Sequence, residues 1–188
     1  MSGHDLALSI ALGIGLAAAT GLRIFLPMLV TSVAAYTGHL HLNDSFAWLG
    51  SVPAMTTFGV AAAAELLAYY IPAVDNLLDA VATPLAVVAG TVLAAAVMTD
   101  LSPVVKWSTA IIAGGSVAGL TQGFTTLIRA KSTLLTAGVG NPVVATAEAG
   151  GAILMSTVAV IAPFVALGAV LIIAWLAVRT MRKWLRQR

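Results

Sequence analysis

The chain has 188 residues, of which 60% are hydrophobic and only 9% charged, with a formal net charge of +2 and no cysteine. An ordinary soluble domain carries roughly a quarter of its residues as charges, so a water-soluble globule is excluded, as are disulfides, thiolate chemistry and Cys-ligated metals. The small basic excess does not point to nucleic acid, because five of the nine Lys and Arg residues (Arg179, Arg182, Lys183, Arg186 and Arg188) fall in the last ten positions. That pattern reads as a basic cytoplasmic tail, 179–188, on an all-α, polytopic membrane bundle that fills the chain as one transmembrane domain, 1–188.

A membrane-spanning helix needs about 20 mostly apolar residues, since no water is available to the backbone at that depth. Six spans are expected on that ruler. The opening Met1-Ser2-Gly3-His4-Asp5 lacks the basic stretch of a secretory signal, and the apolar run behind it is too long for one, so it reads as a retained first helix. This first span, from Leu6 to Tyr36, is long enough to tilt, bend or break near Thr20, Gly21 and Pro27. A first outer loop carries His39, His41 and Asp44; it reads as a wet loop, although two His residues two apart on extended chain can also hold a transition metal. The second span runs from Pro53 to Ile71, with Pro72 as a stop, and a short polar connector from Ala73 to Ala80 leads to a third span from Val81 to Met98. Thr99 to Pro103 is a turn, and the fourth span covers Val104 to Ala130, followed by a polar, Gly-rich loop from Lys131 to Pro142. The apolar stretch from Val143 to Val178 would exceed about 50 Å as one helix, so it is divided at Pro163 into two spans, the alternative being one tilted and kinked helix.

With six spans both termini lie in the cytoplasm, and Arg129, Lys131 and the tail share that side while only Lys106 lies outside. Lys106 and Trp107, with Trp48 and Trp184, read as interfacial anchors. Gly13, Ala17 and Gly21, and again Gly115, Gly119 and Gly123, place a small residue at every fourth position, a pattern that lets helix backbones approach closely. Gly21-Leu22 before Leu29-Val30 matches Gly119-Leu120 before Leu127-Ile128, and Ala64-Glu65 matches Ala147-Glu148. These matches suggest two halves, 6–98 and 104–181, related as a 3+3 inverted repeat.

The chemistry-bearing residues are few. Arg23 and Glu65 fall inside apolar spans, where an unpaired charge costs several kcal/mol, so each needs a partner or a hydrated cavity. They either pair with each other or form a site in which Glu65 takes a proton or cation and Arg23 tunes it or binds an anion. Asp75 and Asp79, four apart on any helix, with the Asn76 amide, are a cap on a solvated turn or an all-oxygen set suited to a hard cation such as Mg²⁺ or Ca²⁺; the metal itself stays unassigned. No P-loop, G-x-S-x-G, H-E-x-x-H or dinucleotide fingerprint occurs, and no cofactor is expected.

Gly21-Leu22-Arg23 with Phe25-Leu26-Pro27, Ile71-Pro72 with Val74-Asp75 and Leu78-Asp79, and Gly140-Asn141-Pro142 with Glu148 together resemble the domain-of-unknown-function 4126 family of integral membrane proteins. The blocks cover most of the chain in order. The sequence departs from the pattern at Thr83, before Pro84, where an Arg is expected. The resemblance implies a bacterial-type inner-membrane protein and adds weight to Arg23, Asp75, Asp79 and Glu148 without assigning them a role. The resulting expectation is a small transporter or channel for an ion or small polar solute, a cation favoured, that binds at Arg23, Glu65, Asp75, Asp79 and Glu148. Its partners would be the lipid bilayer and a second copy in a homodimer. The alternatives are a non-transporting scaffold or assembly protein whose buried charges are structural, and, more weakly, a lipid-processing enzyme.

Overall fold

The structure, a computed structural model, describes residues 3–99 and 101–185, without the side chains of 72, 73, 75–77, 79, 80, 177, 180, 181 and 183–185. Among the described residues it is helical throughout: α1 (Gly3–Thr20), α2 (Phe25–Tyr36), a 3-10 segment (Asp44–Gly50), α3 (Val52–Ala68), α4 (Pro72–Val97), α5 (Pro103–Thr109), a π segment (Ala110–Gly115), α6 (Ser116–Thr136), α7 (Asn141–Ile161) and α8 (Pro163–Leu185). Proline opens five of them. Pro53, Pro72, Pro103, Pro142 and Pro163 all sit in a first turn, where a missing N–H costs nothing because it would have no intrahelical acceptor. Ser51 completes the start of α3 by accepting from the Ala54 N–H at 3.3 Å.

Three helical stretches are long and apolar enough to cross a bilayer, Gly3–Thr20, Pro103–Thr136 and Asn141–Ile161, and a fourth if Asp44–Gly50 and Val52–Ala68, bent by 64°, form one broken span. Phe25–Tyr36, Val81–Val97 and Pro163–Leu176 are apolar but shorter.

Several boundaries differ from the sequence expectation. The first apolar run, expected to tilt, bend or break near Thr20, Gly21 and Pro27, breaks at Gly21–Ile24 into two helices. The polar connector at 73–80 is helical and extends α4 backwards to Pro72, because a proline at the first position and good helix formers behind it outweigh the polarity of the stretch. Residues 131–136 likewise continue α6, and the turn itself is confined to 137–140, with Ala137 and Gly138 at φ 51° and 87°. The division at Pro163 holds: α7 ends at Ile161 and α8 begins at Pro163.

α1 is the central helix and packs against α4, α6, α7 and α8. Its inner face is made of small residues, with Ala11, Ala17 and Ala19 fully buried, so the contacts are close. A Cβ on Gly15 would sit 2.8 Å from the Ala159 Cβ, and one on Gly114 would sit 2.6 Å from the Ala94 Cβ. Of the glycine series read from the sequence, Gly13 packs on Ala94, Gly21 on α6, Gly115 on Thr91 and Gly119 on Val87, while Gly123 meets no atom within 4 Å. Ala17 is buried in the same core.

Candidate functional site

The first span breaks where the backbone changes partner. Gly21 and Arg23 still donate to the carbonyls of Ala17 and Ala19, at 3.1 Å each, and then the α1 pattern ends. The N–H groups of Ile24 and Phe25, at the start of α2, have no acceptor within the helix. Glu65, on α3, supplies one: its two carboxylate oxygens accept from Ile24 and Phe25 at 3.0 Å each. A side chain distant in sequence therefore caps this helix, and a carboxylate also suits the positive end of the helix dipole. Gly21 is needed here for space. A Cβ would collide with the Ala118 carbonyl and lie 2.5 Å from the Thr121 Cβ.

Beside the break lies a buried charge cluster. Arg23 is 1% exposed, Arg129 2% and Glu148 6%. Glu148, on α7, receives Arg23 Nη2 at 3.1 Å and also accepts from Arg129, on α6, through Nε at 3.2 Å and Nη2. Arg23 Nη2 additionally donates to the Ala145 carbonyl at 3.1 Å. Both guanidiniums stack on the ring of Tyr69, at 3.8 and 3.9 Å from its centroid. Among the described residues, Arg23 Nε and Nη1 and Gln122 Nε2 are buried without a hydrogen-bond partner. Tyr69 closes α3, and the next residue ties that end to α7 through Tyr70 Oη and Thr146 Oγ1 at 2.7 Å.

The residues proposed from sequence are thus partly assembled. Arg23, Glu65 and Glu148 meet around the α1–α2 break, but the ion-pair partner of Arg23 is Glu148, and Glu65 serves the α2 backbone. Asp75 and Asp79 fall in the first turns of α4; their side chains lie outside the described residues, as do those of Asn76, Lys183 and Trp184, while Arg186 and Arg188 lie outside entirely.

Arg129, counted with Lys131 and the tail on the cytoplasmic side, is buried and paired, so it says less about orientation than an exposed charge would. Lys106 is also buried, 5.9 Å from the Phe46 ring centroid under the 3-10 segment, rather than in an open outer loop. His39 is exposed, with Nδ1 3.0 Å from Thr37 Oγ1, and no group of three His, Asp or Glu able to hold a metal occurs among the described residues. Sequence reasoning missed Tyr69 and the inward role of Arg129. The latter had a signal, because Gln122, Thr125 and Arg129 recur at three- and four-residue spacing and form one buried polar stripe on α6.

The family model described as Domain of unknown function (DUF4126) matches residues 10–183. The chain belongs to this family. The match takes in every residue of the break and of the cluster. Comparison with curated proteins and with solved structures gives no match. The long apolar helices, not the family, are what mark this as a helical membrane protein.

Proposed function

We propose that this membrane protein is a small transporter or channel for an ion or small polar solute, a cation favoured, with Glu65 at the α1–α2 break as the group that meets the solute. The observation that carries this reading is the broken helix itself. Discontinuous helices whose freed backbone groups face a buried ionisable side chain are how compact membrane transporters build a solute site. Here the Glu65 carboxylate holds the N–H groups of Ile24 and Phe25 and is half-buried at the edge of a groove, so a cation or proton arriving there competes for charge that now steadies α2. Arg23, Arg129 and Glu148 form the fixed wall behind it, and Asp75 and Asp79 on α4 are proposed as further acidic positions on the path.

In this reading the protein resides in a bacterial-type inner membrane with both termini in the cytoplasm, its six spans arranged as a 3+3 inverted repeat, and it works as a homodimer. The test is flux in proteoliposomes, scanning protons, alkali cations and small organic cations. Glu65→Gln is expected to lower the flux at least tenfold while the protein still elutes as a single species.

A second reading has its own observation in favour. Glu148 takes the contacts of two arginines, and the three side chains are almost wholly withdrawn from solvent, as expected of a structural lock in a scaffold or assembly protein. Flux no greater than in protein-free vesicles, with Glu65→Gln equal to the native chain, selects this reading.

A further inference from the structure

α3 and α4 follow one another in the chain, yet their apolar faces stand apart. α3 presents Ala61, Ala64, Glu65 and Ala68 at helical spacing, and α4 presents Leu78, Val81, Ala82 and Leu85 at the same spacing. Between them, floored by Ile24 and Phe25 at the start of α2, lies a groove of about 350 Å³. Three alanines on one wall leave this space unfilled. The volume falls at the lower end of the range for small-molecule sites, about 300–1,000 Å³.

The lining is apolar apart from Glu65 and the Tyr69 side chain. Glu65 is the one charged side chain on the wall among the described residues; neither Arg23 nor Arg129 lines the groove, and each has an ion pair with Glu148. Each carboxylate oxygen of Glu65 accepts one backbone N–H, and the surface of the groove itself is almost wholly apolar. A bare inorganic cation would shed its water here for one carboxylate and a wall of methyl groups, a poor exchange for a hard ion that wants six or more oxygens. A cation that carries its own apolar surface loses little on entering and gains both burial and charge pairing.

We infer that the α3–α4 groove is a binding site for a lipophilic organic monocation, with its apolar body against Ala61, Ala64 and Leu85 and its charge at Glu65. This deepens the transport reading by naming a ligand class, and it rests on that reading only for what happens after binding.

The test is equilibrium binding to the full-length protein in nanodiscs, using radiolabelled tetraphenylphosphonium and tetraphenylborate, ions of the same shape and opposite charge. The phosphonium is expected to bind saturably, at least tenfold tighter than the borate. Glu65→Gln should weaken it at least tenfold. Ala64→Leu, which fills the groove and leaves the charge and the α2 cap untouched, should weaken it similarly, so a folding defect in the Gln variant does not decide the result. Equal saturable affinity for the two ions, or phosphonium binding unchanged by Ala64→Leu, would overturn the inference. Saturable binding without flux in proteoliposomes removes the transport reading and leaves this one. Glu65-dependent flux of an inorganic cation without phosphonium binding does the reverse.

Discussion

Two Ala-Glu dipeptides, Ala64-Glu65 and Ala147-Glu148, look equivalent in the sequence but have different jobs in the fold. Glu65 is half-buried and gives both oxygens to backbone N–H groups; Glu148 is 6% exposed and gives its oxygens to two guanidiniums. Their glycine counterparts diverge in the same way. After Gly21-Leu22 the helix breaks, whereas Gly119-Leu120 lies inside the uninterrupted α6. A helix break in an apolar setting exposes polar backbone, and it persists only where a partner satisfies the freed groups. Glu65 supplies that partner at the first site. In the second half the carboxylate neutralises arginines, and the helix stays closed.

The largest test of this contrast is removal of the shared carboxylate. Glu148→Ala leaves two buried guanidiniums without their common anion, and breaking a buried ion pair from one side costs about 3–5 kcal/mol. The expected outcome is loss of the single eluting species and a large drop in the midpoint of SDS-induced unfolding. If Glu148→Ala proves no worse than Glu65→Ala, the two glutamates are not divided between charge and backbone as described.

The glycines give the next largest effect. Gly21→Val drives a side chain into the Ala118 carbonyl and Thr121, neither of which can swing aside, while Gly119→Val meets only the Val87 side chain. Overpacking of this kind costs about 1–3 kcal/mol, and Gly21→Val should fall at the upper end or beyond, with Gly119→Val well below it in the same unfolding assay. Equal losses would mean that the break adapts as readily as a continuous helix does.

Much of this was legible beforehand, and the limit has a physical cause. The bilayer-like apolar runs, the weak point at Thr20–Gly21, the division at Pro163 and the need for partners at Arg23 and Glu65 follow from period, length and the cost of burying charge. Which acid meets which base does not, because it depends on how α3, α6 and α7 come together across more than a hundred residues of chain. Arg129 lies close to an apolar boundary, and in the sequence it counts only as a cytoplasmic-side charge; its buried partner, Glu148, is 19 residues away on the next helix. The helix at 72–80 was hidden by its polarity, although Pro72 marks its start as well as the end of α3.

A smaller effect is expected at the cap. Glu65→Gln keeps one carbonyl oxygen for one of the two N–H groups and turns its amide nitrogen towards the other, so about one charge-assisted hydrogen bond is lost, roughly 1.5–3 kcal/mol at most and less where the chain relaxes. The observable is hydrogen exchange at the start of α2. Ile24 and Phe25 amides should exchange faster while amides in the middle of α1 keep their protection; uniform acceleration would mean that Glu65 supports the whole bundle rather than the break.

Gly123 should have the least effect on the single chain. Among the described residues no atom lies within 4 Å of the place its Cβ would occupy, in contrast to Gly119 and Gly115 one and two turns earlier, which are used against α4. A helical glycine replaced by alanine gains up to about 1 kcal/mol where nothing obstructs the methyl group, so Gly123→Ala is expected to leave the unfolding midpoint unchanged or slightly raised. The larger Gly123→Leu separates two explanations of why a glycine stands on an open face. If the face meets lipid, Gly123→Leu changes neither stability nor mass. If it packs against a second copy, as the homodimer proposal requires, the substitution lowers the mass measured by light scattering from two chains to one while the unfolding midpoint of the single chain holds. The second outcome is expected, since small residues in a membrane helix let another backbone come close, and among the described residues no backbone does so at Gly123.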